Sequence, residues 1–231
     1  LTFIGLSQIE FPFFPSKSEL FSFPTIWNYI TWIASWWNLL LGVLIVILVC
    51  NDISFKTQRQ SIIDGLSRRE VILGKLYFLV VLAFVVSIYT FILGVLIGCI
   101  YSDPSELLLD IEFVGIYFIQ TLGYFAFAFF FAVLVRKPAL SIVLFIAILM
   151  IDIFLYSDWL LGDMAQFFPT VTLSELTPFP FFEQLLSFES AQDPNYVEPY
   201  NMSQMVRSIL SLSYMTIFIF VGYFSLKKRD L

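Results

Sequence analysis

The chain reads as an all-α integral membrane protein, a polytopic helix bundle. Three observations predict this. Of 231 residues, 59% are hydrophobic and 13% charged, where a soluble domain carries about 25% charged residues. Five apolar runs reach or approach the ~20 residues a helix needs to cross ~30 Å of hydrocarbon. None of the runs alternates polar with apolar residues, as barrel strands must. Helices remain, because they close their backbone hydrogen bonds internally.

Residues 1–25 hold Pro12, Pro15 and Pro24 and do not read as a spanning helix. The spanning runs follow at 26–49, 76–100, 113–135, 139–156 and 209–226, and the last two are short, with 18 residues each. The basic residues then orient the chain. Residues 51–75 carry Lys56, Arg59, Arg68, Arg69 and Lys75; the next such turn is Arg136-Lys137-Pro138; the tail holds Lys227, Lys228 and Arg229. If the helices alternate, these segments share one side, holding 10 of 12 basic residues, while the other side receives Lys17, Arg207 and 13 of 18 acidic residues. The basic side is expected to be cytoplasmic, with the C-terminus inside.

Five crossings with an inward C-terminus put residue 1 outside. The chain does not begin with Met, and residues 1–25 lack a signal peptide. An upstream helix is therefore expected, with "LTFIGL" as its outer end, which gives six crossings in the intact protein. Cys50 and Cys99 fall near opposite faces and cannot pair. No repeat or linker divides the chain, so residues 1–231 are expected to form one membrane domain.

Much chemistry is excluded. The chain has no histidine, which removes Ser–His hydrolysis and H-E-x-x-H zinc sites. Two isolated cysteines make no thiolate metal site. The nearest approach to a nucleotide-binding loop, Gly74-Lys75, is followed by Leu76 and has Arg69 where the first Gly belongs. No catalytic residue, cofactor, metal or nucleic-acid partner is expected. Asp152 lies inside a spanning run, and such a residue is a candidate substrate-path contact. Its nearness to Tyr156 and Asp158 equally suits a side chain reaching interfacial water.

One stretch is patterned and charged: "RQSIIDGLSRREVILGK", residues 59–75. Residues 54–64 are expected to form a short amphipathic helix with Phe55, Ile62 and Ile63 on its apolar face. Gly65 suits a left-handed helix terminator. Ser67-Arg68-Arg69-Glu70 is a capping box, with Ser at N-cap and Glu at N3. A new helix then enters the membrane through Val71, Ile72 and Leu73. Two readings compete: an interfacial anchor on anionic headgroups, or a docking element for a cytoplasmic protein. The mixed signs of Arg59, Asp64, Arg68, Arg69 and Glu70 favour docking.

This motif resembles the cytoplasmic connection of type-2 class ABC exporter permeases, of the kind found in Bacteroidetes-like bacteria, which carry a similar R-Q-x-x-x-D-G-x-S-R-x-x-x-x-x-K pattern. The ending "YFSLKKRDL" is similar as well, and the layout matches over almost the whole chain, apart from the missing first helix. The resemblance implies a six-helix permease in the bacterial inner membrane, paired with a second and often identical copy. Two ATP-binding subunits, which carry the ATP and Mg, dock from the cytoplasm. The coupling helix is expected at residues 54–65, with Phe55, Arg59, Ile62, Ile63, Asp64, Gly65, Arg68, Arg69 and Glu70 meeting the ATPase.

The family also has a segment before the last helix that dips into the outer leaflet. Residues 157–208 fit such a segment. They carry Trp159, Phe167, Phe168, Phe179, Phe181 and Phe182 with Pro169, Pro178 and Pro180, more aromatic surface than a solvated loop exposes. Glu175, Glu183, Glu189, Asp193 and Glu198 are expected to keep parts of it wet. A compact outer cap and a re-entrant helical hairpin both satisfy this. The function expected overall is the membrane subunit of an ATP-driven exporter. A secondary transporter or channel would want polar groups at mid-membrane, which the runs scarcely supply. A non-transporting scaffold is the third alternative, and the cargo is left open.

Overall fold

A computed structural model describes residues 17–55, 57–155, 162–180 and 202–228. Among these there is no strand, and nine α-helices can be followed. In chain order they are α1 (Lys17–Leu20), α2 (Ile26–Ser35), α3 (Trp37–Ser54), α4 (Thr57–Ile63), α5 (Arg68–Tyr101), α6 (Glu112–Val135), α7 (Pro138–Leu155), α8 (Pro169–Ser174) and α9 (Gln204–Lys228). Residues 1–16, on which the expected end of an upstream helix falls, lie outside the described residues.

Four helices are long and apolar enough to cross a membrane: α2 and α3 taken together as Ile26–Ser54, α5, α6 and α9. The fourth apolar run of the sequence forms α7, whose described apolar part, Pro138–Ile151, is shorter than a span. The first run is longer than its composition suggests and continues through Asn51, Asp52 and Ile53 to Ser54. It is interrupted at Trp36, whose amide bonds back to the Ile33 carbonyl in a tightened turn. Helix α5 has 34 residues, about 51 Å of helix, so it overshoots a ~30 Å hydrocarbon layer.

Contacts fix the helix directions. Tyr117 of α6 donates to the Ala34 carbonyl of α2 (3.3 Å), and the Cys50 thiol of α3 meets the Ala132 carbonyl of α6 (3.6 Å). The α2–α3 rod and α6 therefore run parallel. Phe127 meets Phe145 and the Phe131 carbonyl accepts from Ser141, so α7 runs against α6. Trp27 stacks on Phe91 at 5.5 Å and the Phe23 amide donates to Ser102, so α5 runs against the first rod. Cys50 meets Ser141, and Leu76 shares a groove with Tyr223 and Phe224. The three basic segments therefore gather at one end of the bundle.

Helix α6 is the centre. Of its apolar stretch 67% is buried, against 17–39% for the other three long spans. Around it, small residues seat large ones. Phe145 of α7 lies on Gly42, Trp27 and Phe23 lie on Gly94 and Gly98 of α5, Leu173 lies on Gly123, and Phe129 lies on Gly222. At the end of α6 the chain reverses through Arg136, which holds a left-handed conformation (φ 59°, ψ 10°). Pro138 then opens α7, where a missing amide costs no helical bond.

A methyl group at Gly42 would overlap the fully buried Phe145 ring, whereas one at Gly115 meets nothing. Overpacking costs about 1–3 kcal/mol, and a Gly→Ala change in an open helical position gains about 0.5–1 kcal/mol. Gly42→Ala should lower the melting midpoint of the purified protein by several degrees and Gly115→Ala should leave it unchanged or raise it, as read by intrinsic Trp fluorescence.

Candidate functional site

The charged stretch forms a short helix held between two long ones. Helix α4 ends in a Schellman motif: the Leu66 amide bonds to the Ser61 carbonyl and the Gly65 amide to the Ile62 carbonyl, both at 3.1 Å. Gly65 takes φ 105°, where a side chain would be strained although space is open. Ser67 then caps α5. Its hydroxyl accepts from the Glu70 amide (3.3 Å), and the Glu70 carboxylate accepts from the Ser67 amide (2.7 Å). Stop and restart are both made as the sequence predicts.

The extent of the short helix is a correction. Residue 54 was expected to begin it, but Ser54 is the last residue of α3, and Phe55 is its C-cap, with its amide on the Asn51 carbonyl. The short helix starts at Thr57. The reason is Asp52. Its carboxylate pairs with Lys75 of α5, and the Thr57 hydroxyl reaches both its carbonyl (3.0 Å) and its Oδ1 (3.3 Å). One carboxylate thus ties α3, α4 and α5, and it rewards helical continuation through residue 52. The sequence reading passed over Asp52; a lone acid at the end of an apolar run, facing a lone Lys at the start of the next, was the available signal.

The expected docking residues divide into groups. Phe55 and Ile63 are 76% and 71% exposed, Ile62 is half-buried, and Asp64, Gly65, Arg68, Arg69 and Glu70 are exposed. Asp64 accepts from Gln60 of its own helix at 3.2 Å. Arg59 lies in α4 and Asp152 in α7, but their side chains lie outside the described residues.

At the opposite end, α8 is packed into the bundle. Thr170, Val171, Thr172 and Leu173 are buried, and Leu173 sits on Gly123, midway along α6. Gln120 of α6 donates to the Leu173 and Ser174 carbonyls (2.9 and 3.3 Å) and accepts from Thr177 (3.1 Å). Gln204 of α9 donates to the Leu176 carbonyl. Arg207 of α9, expected on the outer side, is 3% exposed; it pairs with the Glu175 carboxylate and donates to the Glu175 carbonyl at 3.1 Å. Glu175 was expected to keep this segment wet; instead it neutralises a buried guanidinium. Phe167 and Phe168 remain exposed, while Phe179 packs on Trp32 with ring centres 5.1 Å apart. Trp159, Phe181, Phe182, Glu183, Glu189, Asp193 and Glu198 lie outside the described residues.

A scan against protein-family models and searches of curated proteins and of solved structures find no match to this chain.

Two outcomes follow from these clusters. Asp52→Ala removes the anchor of α4, and a partly exposed pair of this kind is worth up to about 1 kcal/mol. Hydrogen exchange of the Thr57–Ile63 amides should rise several-fold while α6 amides stay protected. Removing one partner of a buried ion pair costs about 3–5 kcal/mol. Glu175→Ala should therefore lower the melting midpoint much further than Asp52→Ala, and Glu175→Leu combined with Arg207→Met should recover most of the loss.

Proposed function

We propose that this chain is the membrane-spanning permease subunit of an ATP-driven exporter, coupling hydrolysis on a separate ATPase to movement of a cargo across the membrane. The observation that carries the reading is α4: a seven-residue helix, terminated by a Schellman motif, followed by a capped restart and tied at its base to both neighbouring spans. It presents Ile63 to the exterior, and the turn that leads into it presents Phe55. A segment that merely lay on headgroups would not need a fixed angle to two spanning helices. A segment that receives force from a partner would.

In this reading Phe55, Ile62 and Ile63 enter a cleft on the ATPase, while Arg59, Asp64, Arg68, Arg69 and Glu70 orient it. Two permease copies and two ATPase subunits assemble, because one copy offers a two-headed motor a single docking site. The basic end of the bundle faces the cytoplasm of a bacterial inner membrane. In this reading helix α7 completes five crossings. The packing of Leu173 at the midpoint of α6 favours a re-entrant α8 over an outer cap. Asp152, near one end of α7, is retained as a contact along the cargo path.

The test is substrate-stimulated ATP hydrolysis by the reconstituted complex, together with recovery of the ATPase on the tagged permease. Truncating a packed interface anchor costs ~2 kcal/mol or more, and rim charges cost little. Ile63→Asp should release the ATPase and abolish coupling, Gly65→Val should impair it through the backbone, and Lys56→Ala should leave it intact. Full coupling in Ile63→Asp, with membrane association lost in Arg68→Ala/Arg69→Ala, would mean a headgroup anchor and reject the proposal. Purification without any ATPase would point instead to a transporter or channel acting alone.

A further inference from the structure

Two spans, α5 and α9, part at the basic end of the bundle and leave an open-sided groove of about 440 Å³. Leu76, near the start of α5, forms one wall, and Thr216, Ile219, Phe220, Tyr223 and Phe224 of α9 form the other. The five α9 positions recur at helical spacing, so they make one face about 12 Å long. Apart from the Tyr223 hydroxyl this face is apolar: the Thr216 hydroxyl donates to the Leu212 carbonyl of its own helix (2.8 Å), and the Phe220 and Phe224 rings lie 4.4 Å apart. A cation stands at the mouth. Lys227 is exposed one turn beyond Phe224, with its Nζ 5.9 Å from the centre of that ring. Among the described residues no carboxylate pairs with it, whereas Lys75, next to Leu76, is already neutralised by Asp52. The sequence beyond adds Lys228 and Arg229 against the single Asp230.

We infer that this groove holds one acyl chain of an anionic phospholipid, with the lipid's phosphate on Lys227. Shape and charge both select this occupant. An apolar slot that opens at a lysine matches a molecule with a hydrocarbon tail and a phosphate at one end. The tail exchanges lipid for protein, so it gains little hydrophobic drive and is held by dispersion against the fixed rings. Selection is therefore made at the headgroup, where a lysine at the membrane surface favours anionic over zwitterionic lipid. A helix of a second copy suits the groove less. Helices in lipid meet through small residues, and Gly222, the only glycine of α9, lies against Phe129 instead. The groove face carries a single small residue, Thr216. The inference requires only that α5 and α9 cross the membrane, and it stands independently of the transport reading.

The test titrates the full chain, stripped of lipid in detergent, with phosphatidylglycerol or with phosphatidylcholine of the same acyl chains, and counts bound lipid by native mass spectrometry. The first phosphatidylglycerol should bind about five-fold more tightly than the first phosphatidylcholine. Lys227→Gln should remove that preference, and Lys227→Arg should keep it. Thr216→Trp, a change at an exposed position that fills the slot, should at least halve the binding of both lipids. Lys137→Gln, which removes an exposed cation of the same end that does not line the groove, should change neither. Equal binding of the two lipids by the wild type would mean an ordinary lipid-facing surface and overturn the site. Loss of the preference in Lys137→Gln as well would mean diffuse attraction to the basic end and overturn it equally. Undiminished binding in Thr216→Trp would place the lipid elsewhere and reject the groove. A dimer of the chain that Thr216→Trp splits would put a second copy in the groove and reject the lipid.

Discussion

Lipid gives apolar helices no reason to leave it for one another, and this bundle answers with close approach around α6. Five glycines lie where a neighbour's large side chain presses in: Gly42, Gly94, Gly98, Gly123 and Gly222. Each removes a side chain from one surface so that a ring or a leucine from another element can reach backbone depth. The gain is dispersion at many atom pairs, which lipid tails cannot match against a rigid, fitted surface. Residues around α6 then follow: Phe125, Phe129, Ala128 and Ala132 are fully buried, whereas α5 and α9 leave Phe84, Ile88, Ile209 and Phe220 on the outside.

Polar groups are distributed by the same logic. At the basic end, Asp52, Lys75 and Thr57 satisfy one another beside water. At the other end, Gln120, Gln204 and Arg207 donate to carbonyls at and just beyond the end of α8, Thr177 donates to Gln120, and the Glu175 carboxylate pairs with Arg207. A chain that leaves regular helix inside a bundle frees carbonyls with no water to receive them, and amide and guanidinium donors from α6 and α9 take that place. Arg207 is thus a structural residue whose charge Glu175 neutralises.

What the sequence made legible was local. Gly65 and the Ser67–Glu70 box obey rules that involve six residues or fewer, and the structure makes both as read. The directions of the helices, and the gathering of basic segments at one end, followed from run length and charge placement alone. The start of the short helix was misplaced because polarity rises at Asn51, and polarity was taken as the end of the helix. The contact that carries α3 onward joins Asp52 to Lys75, 23 residues away. Arg207–Glu175 spans 32 residues and looks, in sequence, like two charges in a wet loop. Nothing in a lone Asn at position 38 distinguishes a seam residue from a lipid-facing one. The distinction lies in its burial, which is a property of the packed bundle.

The mechanics of α4 follow from where its supports lead. Its near end is fixed to Asp52, the last polar anchor of the first rod, and its far end passes within three residues into the cap of α5. Those two helices do not diverge into lipid separately. The first rod meets α6 at Tyr117 and Ala132, and α5 meets α6 where Phe84 lies edge-on to Phe118. Both struts of α4 therefore converge on the most deeply buried of the long helices. A displacement of α4 has no slack to absorb it, since its stop and restart are hydrogen-bonded and Gly65 is the single residue between them with a left-handed backbone. Such a displacement must shift the struts against α6. Of the two, the first rod is the one whose regular helix is interrupted, at Trp36.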